Sequence, residues 1–316
     1  MPHCESSFRT PRWLRTGHLQ TVLQEITRAG GAFFFEIETL ELPDGDFLSL
    51  GWRRAGSQKL AILCHGLEGS MDAGYIRRTA AALFQSGWDV LAWNLRGCGP
   101  VPNRLLAGYH CGKTDDLGEV IRHAESQYSS VALVGFSLGG NLVLKYLGEA
   151  ATHPKISVAV AVSAPVDLGS TAKALDSRVC NRLYLKRFLR TLNLKMAQKR
   201  RAFPNRIPQV IARSLLEFDD IYTAPIHGFA GATDYWAKSS SKQFLERIRV
   251  RCLLVNALDD PFLGDESFPR EMAHANPCFF METPSHGGHL GFLDWRGGSF
   301  HWMERRIVGF LESVDG

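Results

Sequence analysis

Gly135-Phe136-Ser137-Leu138-Gly139 sets a serine between two glycines in the pattern G-x-S-x-G. An apolar run leads into it and a helical pattern leads out, the context of a nucleophile elbow. In such a sharp strand-to-helix turn the chain passes so near itself that a β-carbon two residues from the serine would collide, so glycine is needed there. The helix N-terminus beneath the hydroxyl favours developing negative charge. The chemistry this suits is attack on an acyl carbonyl, and a serine needs a base to do it at neutral pH. Among His227, His274, His286, His289 and His301, the best placed is His289, in the glycine-rich stretch Gly287-Gly288-His289-Leu290-Gly291. His286, in the same stretch, is its rival. A carboxylate must orient the imidazole and stabilise its charged form. Asn256-Ala257-Leu258-Asp259-Asp260-Pro261 offers two, of which Asp260 is preferred and Asp259 is read as a turn former before proline. The backbone N–H groups of Leu138 and of Leu67, in HGLEGS at 65–70, are the expected oxyanion donors.

These residues need a scaffold. Residues 33–42 and 47–52, joined by Pro43-Asp44-Gly45, read as a β-hairpin. Short apolar runs at 59–64, 88–93, 131–136, 156–163, 250–257 and 278–282 suit strands buried on both faces of a parallel sheet. Helical patterns at 75–85, 114–127, 138–148 and 300–311 alternate with them, which predicts an α/β fold with a mostly parallel sheet. Residues 165–247 break the alternation, and the β-pattern then resumes. The expected organisation is therefore a core of 1–164 and 248–316 with a largely helical cap insertion at 165–247. In open α/β sheets the ligand site lies at the carboxyl ends of the strands, where an insertion can cover it.

The chain has 316 residues, 45% of them hydrophobic and 22% charged, which excludes a disordered, collagen-like or coiled-coil protein. No apolar run approaches the ~18 residues of a membrane span. The basic N-terminus lacks an apolar signal region, and the seven cysteines form no CxxC pair or zinc-type cluster. Both point to reduced thiols in the cytoplasm and to a site without metal or organic cofactor. Cys98 reads as an ordinary free thiol. Net charge is +4, yet residues 171–206 hold eleven Lys/Arg and one acid, against 25 and 31 in the rest of the chain. There Arg178, Arg182, Lys186 and Arg190 recur every four residues beside a stripe of Leu185, Phe188, Leu189, Leu192 and Met196. The plain reading is a cap helix with a solvated basic side; such a helix is also suited to an anionic membrane surface. Nucleic acid is not an expected partner, since no recognised module accompanies the patch.

Taken together, Pro11-Arg12-Trp13-Leu14, Gly17-His18-Leu19-Gln20-Thr21, HGLEGS, Asn94-Leu95-Arg96-Gly97-Cys98, Tyr109-His110, Thr114-Asp115-Asp116-Leu117, GFSLGGN at 135–141, NALDDPF at 256–262 and GGHLGF at 287–292 carry a resemblance over nearly the whole chain. The sequence resembles the α/β-hydrolase superfamily, and within it the YheT-like group, which is similar to animal abhydrolase-domain lipases and yeast medium-chain ethyl ester synthases. The resemblance implies a triad of Ser137, Asp260 and His289 and strengthens Asp260 over Asp259. It implies cleavage of small-molecule carboxylic esters, with an apolar acyl group, by a carboxylesterase or lipase-like enzyme. Alternatives are acyl transfer to an alcohol, or a ligand-binding protein on the same scaffold.

Overall fold

The computed structural model describes residues 3–26, 33–149, 153–294 and 301–313. The hairpin and the apolar runs become strands of one nine-stranded sheet, whose first strand, β1 His3–Cys4, had no expectation attached to it; the others are β2 Glu36–Glu41, β3 Phe47–Arg53, β4 Lys59–Cys64, β5 Asp89–Trp93, β6 Ser130–Phe136, β7 Ile156–Val162, β8 Arg251–Val255 and β9 Phe279–Glu282. Their order is β1-β9-β8-β7-β6-β4-β5-β3-β2. The β2/β3 hairpin and the β3/β5 pair are antiparallel, and the remaining pairs are parallel. Period-two alternation sends Leu60, Ile62 and Cys64 to one face, against Leu117 and Leu142, and Ala61 and Leu63 to the other, against Ile76 and Phe310. Helices therefore cover both faces, and the central strands are buried throughout.

Most predicted boundaries move by a residue or two. The pattern at 114–127 resolves into a helix, Thr114–Ala124, and a 3-10 turn, Glu125–Gln127. The last helix runs Trp302–Glu312, and Phe300 lies outside the described residues. A helix at Gly17–Ile26 had no expectation attached to it. Between β7 and β8 stand Leu168–Ser177, the long Arg182–Ala202 and several short helices, with a hydrophobic cluster of their own. Phe262, from the loop after β8, belongs to that cluster and joins it to the sheet. The four-residue basic row loses its first member. Arg178 precedes the long helix and turns inward, donating to the carbonyls of Pro261 (3.2 Å) and Leu263 (3.1 Å). Among the described residues no helix is long and apolar enough to cross a membrane.

Arg96, in the loop after β5, holds three segments together. Its guanidinium donates to Asp116 on the helix Thr114–Ala124 (2.7 and 3.1 Å), and to Asp44 (2.6 Å) and Asp46 (3.2 Å) in the hairpin turn. Arg96, Asp46 and Asp116 are all buried. Removing one partner of a buried ion pair leaves the others desolvated and uncompensated. Arg96→Met is expected to lower unfolding free energy by about 3–5 kcal/mol, measured by urea titration. Arg104→Met, at an exposed pair with Glu41, should barely move the midpoint.

Candidate active site

Ser137 follows β6 directly with φ +52°, a conformation an L-residue holds only where its surroundings impose it. Its N–H donates to the carbonyl of Val162 on β7 (2.8 Å), and its own carbonyl accepts from Gly140 and Asn141 in the helix Leu138–Glu149. The glycines fit the expected crowding. A β-carbon on Gly135 would lie 2.3 Å from the Gly139 carbonyl oxygen, and one on Gly139 would lie 2.3 Å from that of Cys64 at the end of β4.

The loop after β9 carries His289 to this point. Its Nε2 stands 2.9 Å from Ser137 Oγ, and its Nδ1 stands 2.9 Å from Asp260 Oδ2. A buried carboxylate opposite Nδ1 sets the tautomer: Nδ1–H donates to Asp260, leaving Nε2 free to accept from the hydroxyl. The other oxygen of Asp260 accepts from the Phe262 N–H (2.9 Å), and the Phe262 ring covers the imidazole at 4.3 Å between centroids. The rivals are paired elsewhere. Asp259 accepts from the N–H of Gly288 (2.9 Å) and faces His286 at 3.4 Å. Burial raises the Asp259 carboxyl. This outer pair holds the histidine loop from behind.

That loop leans on a helix whose part the sequence reading missed. The His289 N–H donates to Thr21 Oγ1 (2.8 Å), and Gln20 Oε1 accepts from Leu293 (2.8 Å). A β-carbon on Gly288, at φ +57°, would lie 2.2 Å from the Gly17 carbonyl oxygen. The signal present was Gly17 to Thr21 itself, quoted for resemblance but given no role.

On the other side, Gly66 sits so near Ser137 that an added β-carbon would be 3.0 Å from the serine Cβ. The Gly66 N–H donates to Tyr75 Oη (2.9 Å), and the Gly66 carbonyl accepts from His65 Nδ1–H (2.7 Å). His65 Nε2 accepts from the Leu95 N–H (3.0 Å), which fixes the neutral tautomer. The Gly66 carbonyl and the Leu67 N–H share one planar unit and point oppositely, so His65 aims the Leu67 donor. Leu138 opens its helix, and its N–H has no intrahelical acceptor. Both leucines line a cavity of about 530 Å³ together with Ser137 and His289. Glu68, at φ +53°, accepts from Tyr109 Oη (2.8 Å) and from Lys195 Nζ (2.7 Å) on the long helix. Burial pushes the nearby Cys98 thiol up to about 12, so it stays protonated.

The cavity runs from Ser137 beneath the long helix, with Leu106, Phe188, Leu192, Met196 and Phe218 in its wall. Its lining includes a pair of imidazoles, His110 and His227, with centroids 4.6 Å apart. Burial lowers them to about 2 and about 4, so both are neutral at pH 7. The sequence reading gave neither a role. Asp260, His289 and Ser137 can together draw the proton from a hydroxyl attacking a carbonyl carbon, the reaction of a serine-dependent acyl hydrolase.

A family model described as the alpha/beta hydrolase fold matches residues 60–294, and the chain belongs to that family, in its YheT-like group. It is 34% identical to "Putative esterase YheT" of Escherichia coli, over 97% of this chain and 93% of that protein. It is 27% identical to human "Phospholipase ABHD3", over 96% of this chain and 77–78% of relatives so named in human and cattle. Among solved structures, the Pyrococcus furiosus esterase Pf2001 superposes with a TM-score of 0.62 at 18% identity, covering 90% of this chain and 92% of that one. The fold expected from the sequence is thus the fold observed, and several of the relatives carry esterase or lipase names.

Burial lowers His65 to about 4, whereas an unfolded imidazole titrates near 6.5. Between those values the unfolded chain binds a proton that the native state excludes. The stabilisation is complete above pH 6.5 and is lost as pH falls toward 4, by about 3 kcal/mol. Urea midpoints at pH 7 and 4.5 should therefore drop less in His65→Gln than in the parent. Equal drops would show that His65 does not titrate this way.

Proposed function

We propose that this chain is a serine carboxylester hydrolase that works through an acyl-enzyme. Ser137 attacks the ester carbonyl as His289 takes its proton, and Asp260 holds the imidazolium that forms. The N–H groups of Leu67 and Leu138 bind the oxyanion. The alcohol leaves with the proton from His289, and water cleaves the acyl-enzyme by the same route. The observation that carries this reading is the unbroken relay of two 2.9 Å contacts from Asp260 through His289 to Ser137. The esterases among its relatives favour the same chemistry. We read residues 165–247 as a cap domain that roofs the cavity, with the acyl chain lying against Phe188, Leu192 and Met196. The chemistry asks for no metal and no cofactor. All seven cysteines are unpaired, which fits a reducing compartment such as the cytoplasm.

Ser137→Ala should lower kcat for short p-nitrophenyl esters by about 10⁶-fold, and Asp260→Asn by about 10⁴-fold. His286→Gln should stay within a few-fold of the parent. A fluorophosphonate should label the parent and not Ser137→Ala. Undiminished hydrolysis by Ser137→Ala would overturn the mechanism.

Acyl length provides a second test. Met196→Trp fills part of the cavity wall. It should lower kcat/KM for a decanoyl ester about ten-fold more than for an acetyl ester, the scale of a few methylenes in an apolar pocket. An equal effect on both esters would place the acyl chain elsewhere.

A further inference from the structure

The helix Arg182–Ala202 has two working faces. Phe188, Leu192, Lys195 and Met196 look into the cavity. The opposite side, with the strand of chain around Val210 and Ile211, forms a shallow groove open to solvent. Arg182, Lys186 and Arg190 stand along it one helical turn apart, all exposed. Among the described residues none of the three has an acidic partner, whereas the adjacent Arg187 is paired with Glu25 (3.1 Å). The row is interleaved with large apolar side chains that the fold leaves in water. Leu183 is 82% exposed, Ile211 74% and Leu194 55%. Residues 183, 186, 190 and 194 fall on one side of a 3.6-residue helix.

We infer that this outer face of the long helix docks on an anionic phospholipid bilayer. The charge complementarity is one-sided: three unpaired cations meet lipid phosphates while the exposed leucines and isoleucine enter the acyl boundary. A nucleic acid would use the cations alone and leave those apolar side chains in water, so the bilayer is favoured. The same helix walls the cavity on its inner face, so docking sets the cavity roof against the lipid. This inference does not depend on the role given to Ser137.

The test is co-sedimentation of the full chain with vesicles of phosphatidylcholine alone and with 30 mol% phosphatidylglycerol, in 0.1 M and 0.5 M salt. Binding is expected to the anionic vesicles only and to weaken at high salt. Arg182→Glu/Lys186→Glu/Arg190→Glu should weaken it about a hundred-fold, the scale of three cations near an anionic surface. Leu183→Ser/Ile211→Ser should weaken it at both salt concentrations. Arg122→Glu/Arg249→Glu/Arg270→Glu, exposed on the sheet side, should leave it unchanged. Circular dichroism melts confirm that each variant is folded. No binding to anionic vesicles at 0.1 M salt would overturn the inference, as would an equal loss in the control triple. Binding to duplex DNA without binding to vesicles would also overturn it.

Discussion

Everything around Ser137 depends on how closely three stretches of backbone approach one another. The end of β4, the turn after β6 and the loop at Gly66 meet where no β-carbon fits at positions 66, 135 or 139 without contacts of 3.0 Å or less. That crowding forces the serine to a positive φ and lifts its hydroxyl clear of the chain. It also brings Leu67, Leu138 and Ser137 to the wall of the same cavity. The strain is tolerable because the strands beneath are fully buried and fixed in register.

The side chains at the centre are few, and each is held by groups well away in sequence. Asp260 is buried and holds one nitrogen of His289, while Thr21, on the helix Gly17–Ile26, holds its backbone. Behind them, Asp259 holds Gly288 of the same loop and faces His286. Across the cleft, neutral His65 braces two loops at once, one through each ring nitrogen. Burial keeps it neutral, and a protonated ring would lose the acceptor that Leu95 requires. The polar groups of the region are thus committed to rigidity, which is the condition for aiming hydrogen-bond donors at a developing charge.

The long helix between β7 and β8 ties this rigid floor to the roof. Lys195 reaches from it to Glu68, one residue beyond Leu67, and Lys199 donates to the carbonyl of Asn103 (2.8 Å). The long helix is therefore bonded to the loop that carries Leu67 to the cavity wall. Its inner side sets Phe188, Leu192 and Met196 beside Lys195, and its outer side carries the basic row interleaved with exposed leucines. A displacement of the helix would be felt at Glu68 through a buried charged contact.

Much of this was legible in the residue order. Hydrophobic alternation and the glycines around Ser137 are local properties, and they located the strands, the elbow and the loop of His289. Apolar periodicity also raised the expectation of an insertion, because about eighty residues without a strand signal stand between two strands. The choice between Asp259 and Asp260 was not local. The two differ in which side of the chain each faces once Pro261 and Phe262 have turned it; the residue pattern preferred Asp260 with Asp259 as a turn former, and the resemblance strengthened that preference. Arg178 shared a four-residue spacing with Arg182, but the helix breaks between them and sends it inward. The tautomer of His65 and the pairing of His110 with His227 left no mark in the sequence pattern, and Thr21 entered it only as part of a motif quoted for resemblance. Spacing along a chain records periodicity within one element, whereas these contacts join elements that only the packed sheet brings together.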